Sequence, residues 1–194
     1  MQLDGVGPAH AYIIVGDGVR EHKVLKAATP KYNHRKILRI LQTPIRSTGL
    51  TNAIRSLATS VSINSVVRYL IVVDKEHFKN VNHAISLLKG HGFEILATEE
   101  LTRNCWKLRL KRGHREVTVY IVAMGEEKAV EENIAKLIEL KYNEYVEPKK
   151  EAVDKWLREH EMRELDLVEG ACERKFEEAF PQLARALKDL AEDP

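Results

Sequence analysis

The chain has little cysteine, no long apolar run and no internal repeat, and each lack narrows what it can be. Two cysteines, Cys105 and Cys172, in 194 residues make neither a disulfide framework nor a CxxC metal knuckle. Both read as small buried apolar residues of an intracellular, cytoplasmic protein. No apolar stretch approaches the ~18 residues of a membrane span, and no basic n-region with an apolar h-region opens the sequence. Neither membrane insertion nor export is therefore expected. There is no GxGxxG, no P-loop lysine, no GxSxG elbow and no HExxH or HxxxH pair. The usual dinucleotide, nucleoside-triphosphate, serine-hydrolase and zinc signatures are thus missing. Glutamine is scarce while Glu and Lys are abundant, a thermophile-like balance.

What is present is a globular composition, 44% apolar and 31% charged, on a chain long enough to bury a core without staples. The net charge of +2 hides an asymmetry: residues 1–124 hold 19 Lys and Arg against 9 Asp and Glu, and residues 125–194 hold 12 against 20. A basic front and an acidic tail leave two readings open. Either the front meets something anionic, or the two parts pack together and neutralise each other.

Residues 1–10, with two glycines and a proline, read as a flexible lead-in. Apolar runs with strand texture follow at 11–15, 36–43, 67–73 and 93–98, and the stretches 106–111 and 116–123 read as a hairpin around Gly113. Between them, helical spacing covers 19–28, 50–61 and 78–89. Beyond Gly125 the texture is helix alone, over 126–140, 149–162 and 172–190, with a kink or restart at Pro181. Strands alternating with helices predict an α/β layered sheet, mostly parallel, mixed by the late hairpin. The expected organisation is a flexible 1–10, an α/β domain over 11–146 and a helical C-terminal extension over 147–194.

Two of these strands stop at acids. "YIIVGDG" delivers Asp17, and "YLIVVDKEH" delivers Asp74 and Glu76. Open parallel sheets bind ligands outside the carboxyl ends of their strands. Carboxylates brought together there repel one another unless a cation compensates. Magnesium takes one or two carboxylates and keeps water and phosphate oxygens in its other positions, which suits phosphoryl transfer. Glu21, a turn after Asp17, reads either as a supporting acid or as a favourable first-turn residue. His77 reads either as a ligand or as a surface histidine beside acids.

These residues resemble the Toprim domain, the metal-binding fold shared by topoisomerases, bacterial primases and related nucleases. Its first motif, a strand followed by acid-Gly-x-x-acid and a helix, is matched by Asp17-Gly18-Val19-Arg20-Glu21; its second, strand then Asp-x-Asp, by Asp74-Lys75-Glu76. The resemblance covers about residues 11–140. It implies a Toprim-like fold, Mg2+ (or Mn2+) held by Asp17, Asp74 and Glu76, and phosphodiester chemistry on DNA or RNA, most simply by a nuclease. Two departures stand out: Asp17 occupies the place of the family's catalytic glutamate, and Glu76 that of its final aspartate. Both keep charge and change reach, which metal binding tolerates better than proton transfer does. A non-catalytic nucleic-acid or protein adaptor on the same fold is the alternative.

The hairpin adds a candidate nucleic-acid contact. Lys107, Arg109 and Lys111 fall on one face by alternation, with Trp106, Leu108 and Leu110 on the other. Arg112, His114 and Arg115 crown the turn, and Arg46, Ser47 and Thr48 offer further phosphate donors. Either this is a cationic face for a phosphate backbone or a solvated edge whose lysines deter aggregation. The acidic C-terminal helices are the candidate surface for a protein partner or self-association.

Overall fold

A computed structural model describes residues 1–16, 18–32, 35–41 and 49–192. Within these residues seven strands make one sheet: β1 (Gln2–Leu3), β2 (Ala11–Val15), β3 (Ile37–Ile40), β4 (Arg68–Asp74), β5 (Glu94–Thr102), β6 (Cys105–Arg112) and β7 (Arg115–Met124). Their spatial order is β1-β3-β2-β4-β7-β6-β5. Neighbours are parallel from β1 through β7, and β6 runs antiparallel to both β7 and β5. Among the described residues eight α-helices accompany the sheet: α1 (Val19–Ala28), α2 (Leu50–Ile63), α3 (Val81–Gly90), α4 (Val130–Tyr142), α5 (Lys150–Glu159), α6 (Glu164–Glu169), α7 (Glu173–Ala179) and α8 (Pro181–Glu192). The α/β expectation is met, with the parallel core and the late hairpin where the strand texture put them.

The topology follows from the handedness of parallel crossovers. The chain leaves β2 for β3 on one side, then crosses back over β2 to β4 on the other. Right-handed connections put α1 and α2 on opposite faces when the winding reverses. Accordingly Val24, Leu25 and Ala28 of α1 pack in one buried cluster with Ile13 and Leu70. Leu50, Ile54, Leu57 and Val61 of α2 pack in the other, with Ile14, Tyr69 and Ile71. Both faces of β4 are covered, so its run from Tyr69 to Val73 is fully buried and continuously apolar, as a central parallel strand requires.

The tail after Glu147 is part of the first layer. Val153, Trp156, Leu167, Phe176, Phe180, Leu183 and Leu187 share one buried cluster with α1, α4 and strand residues Tyr120 and Val122. Charge follows the packing. Arg20 bonds Glu131 at 2.6 Å, Glu164 at 3.1 Å and also Asp154. Lys23 reaches Glu164 at 3.1 Å and Lys107 reaches Asp189 at 2.6 Å. Lys31 donates to the Glu169 and Ala171 carbonyls at the end of α6. Of the two readings of the charge asymmetry, intramolecular neutralisation is visible in the five ion pairs of Arg20, Lys23 and Lys107.

Several boundaries differ from expectation, each for a local reason. Residues 1–10 were expected to be flexible, but β1 pairs with β3 and the Met1 side chain is fully buried. The Met1 ammonium donates to the Thr29 and Tyr32 carbonyls, and burial lowers its pKa to about 6. Helix α3 starts at Val81 rather than 78 because the Asn80 side chain caps it, accepting from the His83 amide at 2.9 Å. Helix α4 starts at Val130 rather than 126 because the Glu132 carboxylate collects the amides of Glu126, Glu127 and Lys128. Gly125 makes that loop possible: its φ is +84° and a Cβ there would lie 2.5 Å from the Ala129 carbonyl oxygen. At Pro181 the chain ends α7 and opens α8.

The two cysteines occupy different worlds. Cys105 is fully buried in β6 as expected, and burial pushes its thiol up to about 12, whereas Cys172, also expected to be buried, is exposed. One thiol, Cys172, is expected to react with a disulfide reagent at neutral pH, and the second only after denaturation. Two fast equivalents from the native protein would contradict this packing.

Candidate functional site

Strands β2 and β4 lie side by side and parallel, with Val15 paired to Val72. Their carboxyl ends flank the place where the winding reverses, which is where open α/β sheets form a ligand crevice. The chain leaving β2 stays close to β4. The Gly16 amide donates to the Val72 carbonyl at 2.8 Å, and the Gly49 amide, at the start of α2, donates to the Gly16 carbonyl at 2.7 Å. A Cβ on Gly16 would sit 2.5 Å from Val73 Cγ1, so only glycine fits this approach. Asp17 and the phosphate-donor candidates Arg46, Ser47 and Thr48 lie outside the described residues.

Asp74 ends β4 and its Oδ1 accepts from the Val130 amide at 3.0 Å. The N-cap of α4 is Ala129, which has no side-chain acceptor, so Asp74 reaches across to cap that helix. Glu76 sits in the short 3-10 turn Lys75–His77. Its amide donates to the Lys128 carbonyl at 2.7 Å. Its carboxylate is 53% exposed and lies 3.8 Å from His77 Nε2. Lys75 Nζ lies 5.3 Å from the Phe78 ring centre. Glu21 is buried in the first turn of α1, with its carboxylate folded back against Gly18. Among the described residues no three His, Cys, Asp or Glu side chains come together as a metal-ligand group.

The hairpin separates by parity, as alternation predicts, but its neighbours decide what each cation does. Lys107 lies beneath α8: Asp189 accepts from its ammonium and from the Tyr120 hydroxyl at 2.7 Å. Although burial works against it, these two donors hold the Asp189 carboxyl below its ordinary range. Lys107 is therefore not on an open cationic face. Arg109 is largely exposed, 3.6 Å from Glu116, and Lys111 is half-buried. Arg112 and Arg115 do not crown a turn in solvent; they belong to the opposite face. Arg112 donates to the Ala58 carbonyl and to Ser62 Oγ, and Arg115 to the Val61 carbonyl. Helix α2 has no basic residue in its last turn, so these two arginines supply the charge its carbonyl end favours.

The arrangement that sequence reasoning missed is the Arg20 hub, where one guanidinium gathers acids from α4, α5 and α6. Elsewhere, a cavity of about 480 Å³ is lined by Glu126, Glu127, Glu132, Glu139 and Glu178. Its charge repels phosphate, so it is no place for a polyanion. No helix among the described residues is long and apolar enough to cross a membrane. No family model, curated protein or solved structure matches this chain.

Proposed function

We propose that the crevice at the β2 and β4 ends carries metal-dependent phosphodiester chemistry on DNA or RNA, most simply cleavage of the Toprim type. The observation that carries this reading is the adjacency of β2 and β4 at the reversal of winding, with Asp74 closing β4 and Glu76 two residues on. Carboxylate oxygens at a partly exposed sheet edge suit a hard cation that keeps several waters. Asp74 and Glu76 would hold Mg2+ (or Mn2+), with Asp17 as third ligand or proton carrier. The cation would offset charge on the phosphate undergoing attack.

One observation favours the alternative, a non-catalytic adaptor that keeps the fold: Asp74 spends an oxygen on capping α4. Two substitutions separate the roles. Asp74→Asn keeps a carbonyl for the cap and removes the charge; Asp74→Ala removes both. Cation-dependent cleavage is expected to vanish in both variants. Stability is expected to fall by about 1 kcal/mol only in Asp74→Ala. Cleavage that survives in Asp74→Asn, or that persists in chelator, would exclude the metal reading. Binding without turnover under any metal would leave the adaptor.

A further inference from the structure

The two helical layers differ in charge in a way the net value conceals. Helices α1 and α4–α8 on one face carry fifteen Asp and Glu, whereas α2 and α3 on the other carry none. On that second face Arg55, Lys79 and Lys89 are exposed. Arg112 and Arg115 close its far end through their bonds to α2, and Lys75 lies against Phe78 at its near end. Between the cations stand Thr51, Ser62, Asn82 and Ser86, all exposed and neutral. Of the acids on the neighbouring strands, Glu94, Glu99 and Glu116 turn away from it, while Glu100, in register with Trp106, faces the same side at the outer edge strand β5. Glu94 and Glu116 pair in register with Lys111, whose side chain alternates opposite to Leu110 and Leu108 of the α2 and α3 cluster. In the chain between α2 and α3 the exposed acid is Glu76, at the crevice.

We infer that the α2 and α3 face is where a nucleic-acid backbone docks, leading to the crevice at the start of α2. The inference rests on the nucleic-acid reading above and moves its contact surface from the hairpin to the opposite side of the sheet. Three reasons select a phosphodiester chain as occupant. The surface offers separated cations with no carboxylate on either helix, which suits a repeating anion rather than a single compact one. Hydroxyl and amide side chains between cations donate to phosphate oxygens without reading bases. Helix α2, at 14 residues and about 1.5 Å each, is roughly 21 Å long, enough to follow several successive phosphates. The hairpin lysine face lacks this freedom because α8 covers Lys107.

The test is fluorescence anisotropy with a labelled single-stranded DNA, the matching RNA, and the annealed duplex, from about 50 to 200 mM salt. Three proteins are compared: wild type, the triple variant Arg55→Ala/Lys79→Ala/Lys89→Ala, and the opposite-face control Arg109→Ala/Lys111→Ala. The triple variant is expected to lose about tenfold or more in affinity, with a salt dependence shallower by about 2 in log–log slope. The control is expected to bind as wild type does. Wild-type affinity in the triple variant overturns the inference, as does equal loss in the control, or no binding by any of the three. So does a salt-sensitive dimer, seen by sedimentation, that the triple variant abolishes while nucleic-acid binding is unchanged; the face would then receive a second copy. If the triple variant binds normally while Asp74→Asn cannot cleave, the docking surface is wrong and the chemistry stands. If the triple variant fails to bind and wild type never cleaves, the reverse holds.

Discussion

Replacing Arg20 with methionine is expected to lower stability by about 3–5 kcal/mol, the range for removing one partner from a buried charge cluster. Three carboxylates face the Arg20 guanidinium, which is itself only 13% exposed. Asp154 is 41% exposed and screened by water, which favours the lower half of that range. Glu131 and Glu164 are 16% and 10% exposed, so the charge they would leave behind is poorly solvated. The loss is read from the denaturant midpoint at pH 7. Arg20→Lys would retain a charge without the planar fork that reaches three partners at once, and an intermediate loss is expected there.

The pH dependence distinguishes a charge effect from a packing effect. In the wild type, burial works to raise the Glu164 carboxyl, but a backbone hydrogen bond, Lys23 and Arg20 together hold it below its ordinary value. A carboxyl depressed on folding stabilises above its unfolded pKa and loses that contribution as pH falls through the folded one. Wild-type stability should therefore decline below about pH 4.3, the ordinary glutamate value. Without Arg20, Glu164 loses one of the partners that hold it down, while the burial that works to raise it remains. Less stability is then lost on acidification, and the decline below about pH 4.3 should be shallower in the variant than in the wild type. Parallel curves for variant and wild type would show that Arg20 matters only as a packed side chain.

Much of the fold was legible because its elements announce themselves locally. The buried run Tyr69–Val73 and the helical spacing over Val19–Ala28 were readable from period alone. What failed was long-range. The Arg20 bonds to Glu131 and Glu164 span 111 and 144 positions, and no local pattern encodes them. Helix α6 is six residues long, too short to show a period. Residues 126–129 have helical composition, yet Glu132 draws the amides of Glu126, Glu127 and Lys128 into a loop, a local override of propensity. The hairpin alternation was correct, but which face each helix covers was not readable, so Lys107, Arg112 and Arg115 looked available when they serve α8 and α2. At the crevice, the strand-end position of Asp74 was legible, and its capping of α4 was not.

The same logic makes the tail indispensable, and removing it is expected to have the largest effect of all. A chain ending at residue 147 should not fold cooperatively, although its predicted α/β domain ends just before that point. Val153, Trp156, Leu157, Leu167, Val168, Phe176, Phe180, Leu183, Leu187 and Leu190 are all buried in the cluster that covers α1, α4 and the sheet. At about 1.5–3 kcal/mol each, ten such side chains represent roughly 15–30 kcal/mol, more than the roughly 5–15 kcal/mol that a whole domain retains. The surface they cover, with Tyr120, Val122 and Ile134 within it, would meet water. Circular dichroism of the shortened chain should show helix with no sharp melt, weak near-ultraviolet signal and dye binding to exposed apolar surface. The full chain with Phe180→Ala provides the graded counterpart, a loss of about 3–5 kcal/mol in a protein that still melts cooperatively. A sharp transition in the shortened chain would mean that α5–α8 merely decorate a sheet able to stand alone. The acids at 154, 164 and 189, which those helices deliver to Arg20 and Lys107, would then be ornaments of docking rather than part of what makes the first 147 residues fold.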